Sequence, residues 1–138
     1  MAAGYSGTPL AKKLGIVENS RIFLSDAPKN YRELVAPIPK GAQIVKKVGE
    51  DTDIIHLFTA ERSRLASLLR SSLAKMRPDA AIWVSWPKKS SKVPTDITED
   101  TIRAVALPMG LVDIKVCAVD EVWSGLKLVV RRAARRRG

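Results

Sequence analysis

Few side chains in this sequence are suited to chemistry, and the densest group of them is Trp86-Pro87-Lys88-Lys89-Ser90-Ser91-Lys92. Lys88, Lys89 and Lys92, with the hydroxyls of Ser90 and Ser91, can hold a phosphate or carboxylate through charge-assisted hydrogen bonds. Trp86 and Trp123 offer flat faces for a base or ring. The competing reading is that Trp83 and Trp86 fill a core and the lysines form a solvated loop. His56 is the only histidine. It lies inside the apolar run Asp53-Ile54-Ile55-His56-Leu57-Phe58-Thr59 and is expected to be a satisfied core residue, since a catalytic base must reach a substrate. Cys117 is the only cysteine. It excludes an internal disulfide and a multi-cysteine metal site, and without a histidine partner in sequence it is expected to be an inert, part-buried thiol. Asp120 and Glu121 are adjacent, so on a strand they point apart. They are expected to form a turn, with Asp120 pairing Lys88 or Lys127. No metal and no cofactor are expected.

The elements that must position these residues follow from periodicity and turn chemistry. Thr8-Pro9 before Leu10-Ala11-Lys12-Lys13-Leu14 and Gly15 after it predict a short helix with Thr8 as cap. Arg21-Ile22-Phe23-Leu24-Ser25 predicts a strand, and residues 28–41, with three prolines, have room only for a short helix at 31–35. A weaker strand is expected at 43–48 and a doubly buried one at 53–59. Leu65, Leu68, Leu69, Ser72, Leu73 and Met76 recur at helical spacing, with Thr59 or Ala60 at the start of that helix and Pro78 ending it. Ala80-Ala81-Ile82-Trp83-Val84-Ser85-Trp86 predicts a further buried strand. Asp96 and Glu99 have the spacing of a capping box before a helix whose inner face is Ile102, Val105, Ala106 and Met109. Strands at 112–119 and 126–130 then suggest an antiparallel hairpin. The alternation of strand and helix predicts one α/β domain over 1–131: a small three-layer Rossmann-like unit with a mostly parallel sheet.

Composition sets the outer bounds. The 138 residues suit a single core, and 46% hydrophobic with 28% charged residues is ordinary for a globular protein. The opening residues lack the basic start and apolar run of a signal peptide, and no apolar stretch is long enough to span a bilayer, so a cytoplasmic location without membrane contact is expected. The formal charge is +10, from 24 Lys+Arg against 14 Asp+Glu. Arg131, Arg132, Arg135, Arg136 and Arg137 crowd the last eight residues, and taking those five away leaves +5. Residues 132–138 read either as a basic arm that attracts nucleic acid through phosphate contacts or as a solvated terminus. The hairpin leaves an edge strand, so both a monomer and an edge-paired homodimer stay open.

Three stretches of the chain resemble a known family. They are Gly4-Tyr5-Ser6-Gly7-Thr8-Pro9-Leu10-Ala11-Lys12-Lys13-Leu14-Gly15, then Trp83-Val84-Ser85-Trp86-Pro87-Lys88-Lys89 running to Thr95-Asp96, and then Gly110-Leu111-Val112-Asp113-Ile114-Lys115-Val116-Cys117-Ala118-Val119-Asp120-Glu121-Val122-Trp123-Ser124-Gly125-Leu126-Lys127. Together they resemble a bacterial family catalogued as domain of unknown function 3052, over about residues 4 to 131, and that resemblance implies no established activity. The terminal hairpin in turn resembles the ending of the methyltransferase-like variant of the Rossmann fold.

In open α/β sheets ligands bind beyond the carboxyl ends of the strands. Here those ends carry Asp26, Thr59, Ser85, Trp86, Lys88, Lys89, Asp120 and Trp123. A methyltransferase needs a glycine-rich turn after its first strand so that the backbone can approach the cofactor. Ser25-Asp26-Ala27-Pro28-Lys29 has no glycine there, and Pro28 removes a donor. The favoured expectation is a non-catalytic binding module for an anionic, phosphate- or nucleotide-like ligand at the strand ends. The alternatives are a nucleic-acid-associated protein using its arginine tail and a degenerate methyltransferase-like enzyme.

Overall fold

A computed structural model describes residues 8–131. Gly4 to Gly7 of the first family-like stretch and Arg132, Arg135, Arg136 and Arg137 of the tail lie outside the described residues. Six strands form one sheet: β1 (Arg21–Ser25), β2 (Gln43–Val45), β3 (Ile54–Phe58), β4 (Ala81–Pro87), β5 (Leu111–Ala118) and β6 (Trp123–Val130). Their order is β2-β1-β3-β4-β6-β5. The first four strands run parallel, while β6 is antiparallel to both β4 and β5. This is the expected mostly parallel sheet with a C-terminal antiparallel hairpin.

Four helices cover the sheet: α1 (Leu10–Leu14), α2 (Tyr31–Leu34), α3 (Arg62–Lys75) and α4 (Glu99–Ala106). Because β3 and β4 are apolar on both sides, each face of the sheet must be covered. On one face Ile55, Leu57, Ile82, Val84 and Trp86 pack with Leu65 and Leu69 of α3 and Ile102 and Ala106 of α4. On the other, Ile54, Phe58 and Trp83 pack with Leu10 and Leu14 of α1 and Tyr31 of α2. Trp83 is fully buried, and its indole N–H donates to the Leu14 carbonyl at 3.0 Å, which pins α1 to the sheet. Gly15 ends α1 in the left-handed region at φ 84°, as its position after the helix predicts.

Several local expectations are corrected. The cap position of α1 is Pro9, with no side-chain cap, so Thr8 does not serve. β2 stops at Val45 and is only three residues long. α3 starts after Glu61, and its first free amide, Arg62 N–H, donates to Asp96 Oδ1 at 2.8 Å. Asp96 therefore serves α3. Thr98 caps α4 in its place: Thr101 N–H donates to Thr98 Oγ1 at 3.2 Å, and Thr98 N–H donates to Thr101 Oγ1 at 3.1 Å. The rule of a reciprocal box holds, but a threonine performs both roles. β6 begins at Trp123, three residues before the expected start, which shortens the turn after Val119.

A cleft at the end of β4

Asp26, Thr59 and Lys88 follow the parallel strands β1, β3 and β4, so the topology does bring them to one edge of the sheet. Their side chains part company there. Trp86, Lys88 and Lys89 line a cleft of about 670 Å³, whose other walls include Pro87, Ile97, Thr98, Glu99 and Ser124. β4 and β6 supply the floor, because Trp86 pairs with Ser124 in the ladder. α4 and the loop before it supply the far wall. That loop is tied down where Thr95 Oγ1 donates to the Ala60 carbonyl at 2.7 Å.

The charges in the cleft are unequally occupied. Arg103 donates to Asp113 at 3.0 Å, to Glu99 at 2.9 Å and to Asp100 at 3.0 Å. Its hydrogen bonds to Asp113 and Glu99 push the guanidinium still further up, and Arg103 in return holds the Asp113 carboxyl below its ordinary range. Glu99 and Asp100 are thus both held by Arg103 from within their own helix, although its single charge is shared among three carboxylates. Lys88 and Lys89 pair with no carboxylate among the described residues. Lys88 is anchored by its backbone only, its N–H donating to the Val122 carbonyl at 2.7 Å.

The remaining predicted residues are engaged elsewhere. Ser85 is fully buried and lies on the opposite face of β4 from Trp86. Its Oγ is 2.7 Å from His56 Nε2, and Tyr31 Oη is 2.9 Å from His56 Nδ1. A neutral imidazole has one donor and one acceptor, so Tyr31 and Ser85 take complementary roles and the core histidine is satisfied, as expected. Burial lowers the His56 pKa to about 3 and pushes the Tyr31 phenol up. Thr59 is buried at the start of α3, where its hydroxyl accepts from Glu61 N–H at 3.2 Å. Asp120 accepts from the amides of Val122 and Trp123 at 2.8 and 2.7 Å. It shapes the β5–β6 turn as expected, but it pairs with backbone and not with Lys88 or Lys127. Cys117 is half-buried, as expected, and burial pushes its thiol up against the opposing pull of Lys13 and Lys115.

Trp123 packs edge-on against Phe58, with ring centroids 5.1 Å apart, in the core on the α1 and α2 face. Trp86 belongs to the core on the α3 and α4 face. The two indoles are separated by the sheet and cannot sandwich one ligand. Alternation along paired strands dictates this, because Trp123 stands opposite Pro87 and not Trp86. Ile97, Thr98 and Ser124 carry no site signal in the sequence, while Pro87 and Glu99 stand out there only as part of the tryptophan–lysine segment and of the expected capping box. The threonine cap at Thr98 was the one local signal that could have drawn attention to this wall.

Asp26 has a different role. It sits past β1 with φ 55°, and Arg64 of α3 donates to its Oδ2 through Nε at 3.1 Å. The chain passes from β1 to β2 on one side and returns to β3 on the other, so the switch point lies between β1 and β3. The Asp26–Arg64 pair bridges that crevice. No helix among the described residues is long and apolar enough to cross a membrane, and no cluster of three or more metal-ligating side chains occurs among them.

No family model and no curated protein matches the sequence. Solved structures do resemble it. An S-adenosylmethionine-dependent methyltransferase from Aquifex aeolicus matches with a TM-score of 0.57 at 11% identity, over 88% of this chain and 87% of that one. The complex of DhpI with SAH matches with a TM-score of 0.58 at 8% identity, over 90% and 83%. Aeropyrum pernix fibrillarin with natively bound S-adenosyl-L-methionine matches with a TM-score of 0.52 at 13% identity, over 91% and 70%. The chain therefore has the Rossmann-like fold of these structures, and at such low identity the likeness is one of fold alone.

Proposed function

We propose that the chain is a binding module for a small molecule carrying an anionic group, phosphate or carboxylate, seated in the β4 cleft. The observation that carries this reading is the contrast within the cleft: Lys88 and Lys89 are unpaired while Glu99 and Asp100 are occupied by Arg103. An apolar floor of Trp86, Pro87 and Ile97 with two cations on the walls is the usual make-up of a small-molecule site. Trp86 is only 7% exposed, so it contributes an edge of its indole to the floor and not a stacking face. No histidine or cysteine lines the cleft, which favours binding over catalysis.

The fold makes S-adenosylmethionine the cofactor to test, and the residues present do not fit it. The turn after β1 has no glycine for close backbone approach, Pro28 offers no amide donor, and Arg64 occupies Asp26 across the crevice. β2 is followed by Lys46-Lys47, where a ribose-binding acid belongs. No catalytic step through that cofactor is supported, and the fold by itself does not imply the ligand.

The test is a thermal-shift screen of the full chain against inorganic phosphate, nucleoside monophosphates, sugar phosphates and short dicarboxylates. A ligand that binds only the folded state must raise the melting temperature. The expected result is a rise with at least one of these classes that disappears in Lys88→Ala/Lys89→Ala. A rise that persists in the double variant would move the site elsewhere, and no rise from any class would sink the reading.

A further inference from the structure

A second basic surface lies at the other side of the sheet and plays no part in the β4 cleft. α1 ends in Lys12 and Lys13, β5 carries Lys115, and β6 sets Lys127 directly across from Lys115 in the ladder. Like charges facing each other on neighbouring strands work against the pairing. A shallow groove of about 540 Å³ has Lys12, Lys13 and Lys115 on its walls beside Thr8, Val116 and Cys117, and no acidic residue lines it among the described residues; Lys127 lies beside it, in a separate depression with Glu18, Asp53 and Asp79. Lys12, Lys115 and Lys127 pair with no carboxylate among the described residues, although arginines elsewhere in the chain form ion pairs. Lys127 leans toward the C-terminus of α1, its Nζ about 4.0 Å from where a Cβ on Gly15 would stand. The negative end of the helix draws it there, which leaves Lys12 and Lys115 facing outward, both exposed.

The edge strand narrows the class of partner. Ile114 and Val116, 55% and 51% exposed, flank Lys115 on β5. An added protein strand would need a regular ladder there, but β5 is broken by an irregularity between Asp113 and Lys115 and guarded by a lysine. Both devices discourage strand addition. A nucleic-acid backbone needs no ladder: it needs cations set along a groove, and it repays their mutual repulsion by releasing its own counterions. The overall charge of +10 acts in the same direction by raising the local concentration of polyanions.

We propose that the lysine surface formed by α1 and β5 is a docking site for the phosphate backbone of a nucleic acid. Lysines act as point charges, and among the described residues the groove contains no arginine, asparagine or glutamine to read base edges, so binding is independent of sequence.

The test measures fluorescence anisotropy of short labelled oligonucleotides, single-stranded and duplex, bound by the full chain from low to physiological salt. Lys12→Gln/Lys115→Gln is expected to weaken binding about tenfold and to flatten the log–log salt slope by about 1.5, as for two lost phosphate contacts. Lys88→Ala/Lys89→Ala is expected to bind like the parent. Both lysines in the first variant are exposed, and equal melting temperatures confirm that its fold is intact. An unchanged affinity and slope in Lys12→Gln/Lys115→Gln would overturn the proposal, placing any binding on the arginine tail or the cleft. A polyglutamate peptide that binds more tightly than either oligonucleotide would also overturn it, in favour of an acidic protein partner.

Discussion

Arg64 and Asp26 join the end of β1 to the start of α3, with Arg64 Nε 3.1 Å from Asp26 Oδ2. The pair spans the crevice where an open sheet of this topology accepts a ligand. Both side chains are about half exposed, at 50% and 58%. Their attraction is therefore screened, and Arg64→Ala is expected to cost less than about 1 kcal/mol of stability. S-adenosylmethionine is expected to leave the melting temperature of the parent protein unchanged. A rise in the parent that grows in Arg64→Ala would show that the crevice accepts the cofactor and that the pair merely competes with it.

The buried Tyr31–His56–Ser85 chain makes stability depend on pH. His56 has its pKa lowered to about 3 by burial, against an ordinary 6.5. Below pH 6.5 the unfolded chain binds a proton that the folded chain refuses until about pH 3. The stability due to the neutral ring is thus complete above 6.5 and is lost as pH falls across that window, at about 1.4 kcal/mol per pH unit. Denaturant unfolding at about pH 7.5 and about pH 5 is expected to differ by about 2 kcal/mol. Equal stability at the two values would mean that His56 accepts its proton in place.

Removing one end of that chain tests its hydrogen bonds directly. Ser85→Ala leaves His56 Nε2 without its partner at 2.7 Å in a fully buried site. The expected loss is about 1–3 kcal/mol by chemical denaturation, the cost of a buried polar group left unsatisfied. A neutral effect would imply that water or a new rotamer replaces the serine.

The placement of Trp86 and Trp123 on opposite faces has a spectroscopic consequence. A ligand in the β4 cleft meets Trp86 and not Trp123. Quenching of tryptophan emission by such a ligand is expected to survive in Trp123→Phe. Its disappearance there would place the ligand on the α1 and α2 face.

Gly125 holds the hairpin close to β4. A Cβ at this position would stand 3.2 Å from Trp83 Cε3, 3.3 Å from Val119 Cγ2 and 3.4 Å from Ser85 Oγ. All three neighbours are buried and have little room to yield. Gly125→Ala is expected to destabilise by about 1–3 kcal/mol, as overpacking does, and a melting temperature equal to the parent's would show that the sheet adjusts.

The sequence by itself determined the order and type of the elements, because local signals of the chain carry them. The apolar run around Ile54 and Ile55, the leucine stripe of α3, and Gly15 each report a backbone state that depends on near neighbours. The core role of His56 was legible for the same reason: it sits mid-strand in an apolar run buried on both faces. Tertiary structure alone decided which residues share a site. Trp86 and Trp123 both stand near the strand ends in sequence, but the antiparallel register of β6 on β4 turns them to opposite faces. Lys115 and Lys127 lie twelve residues apart and meet only through that same hairpin. Arg64 reaches Asp26 across 38 positions of the chain. Contacts of this kind depend on register and crossover, which a period of two or 3.6 residues does not encode.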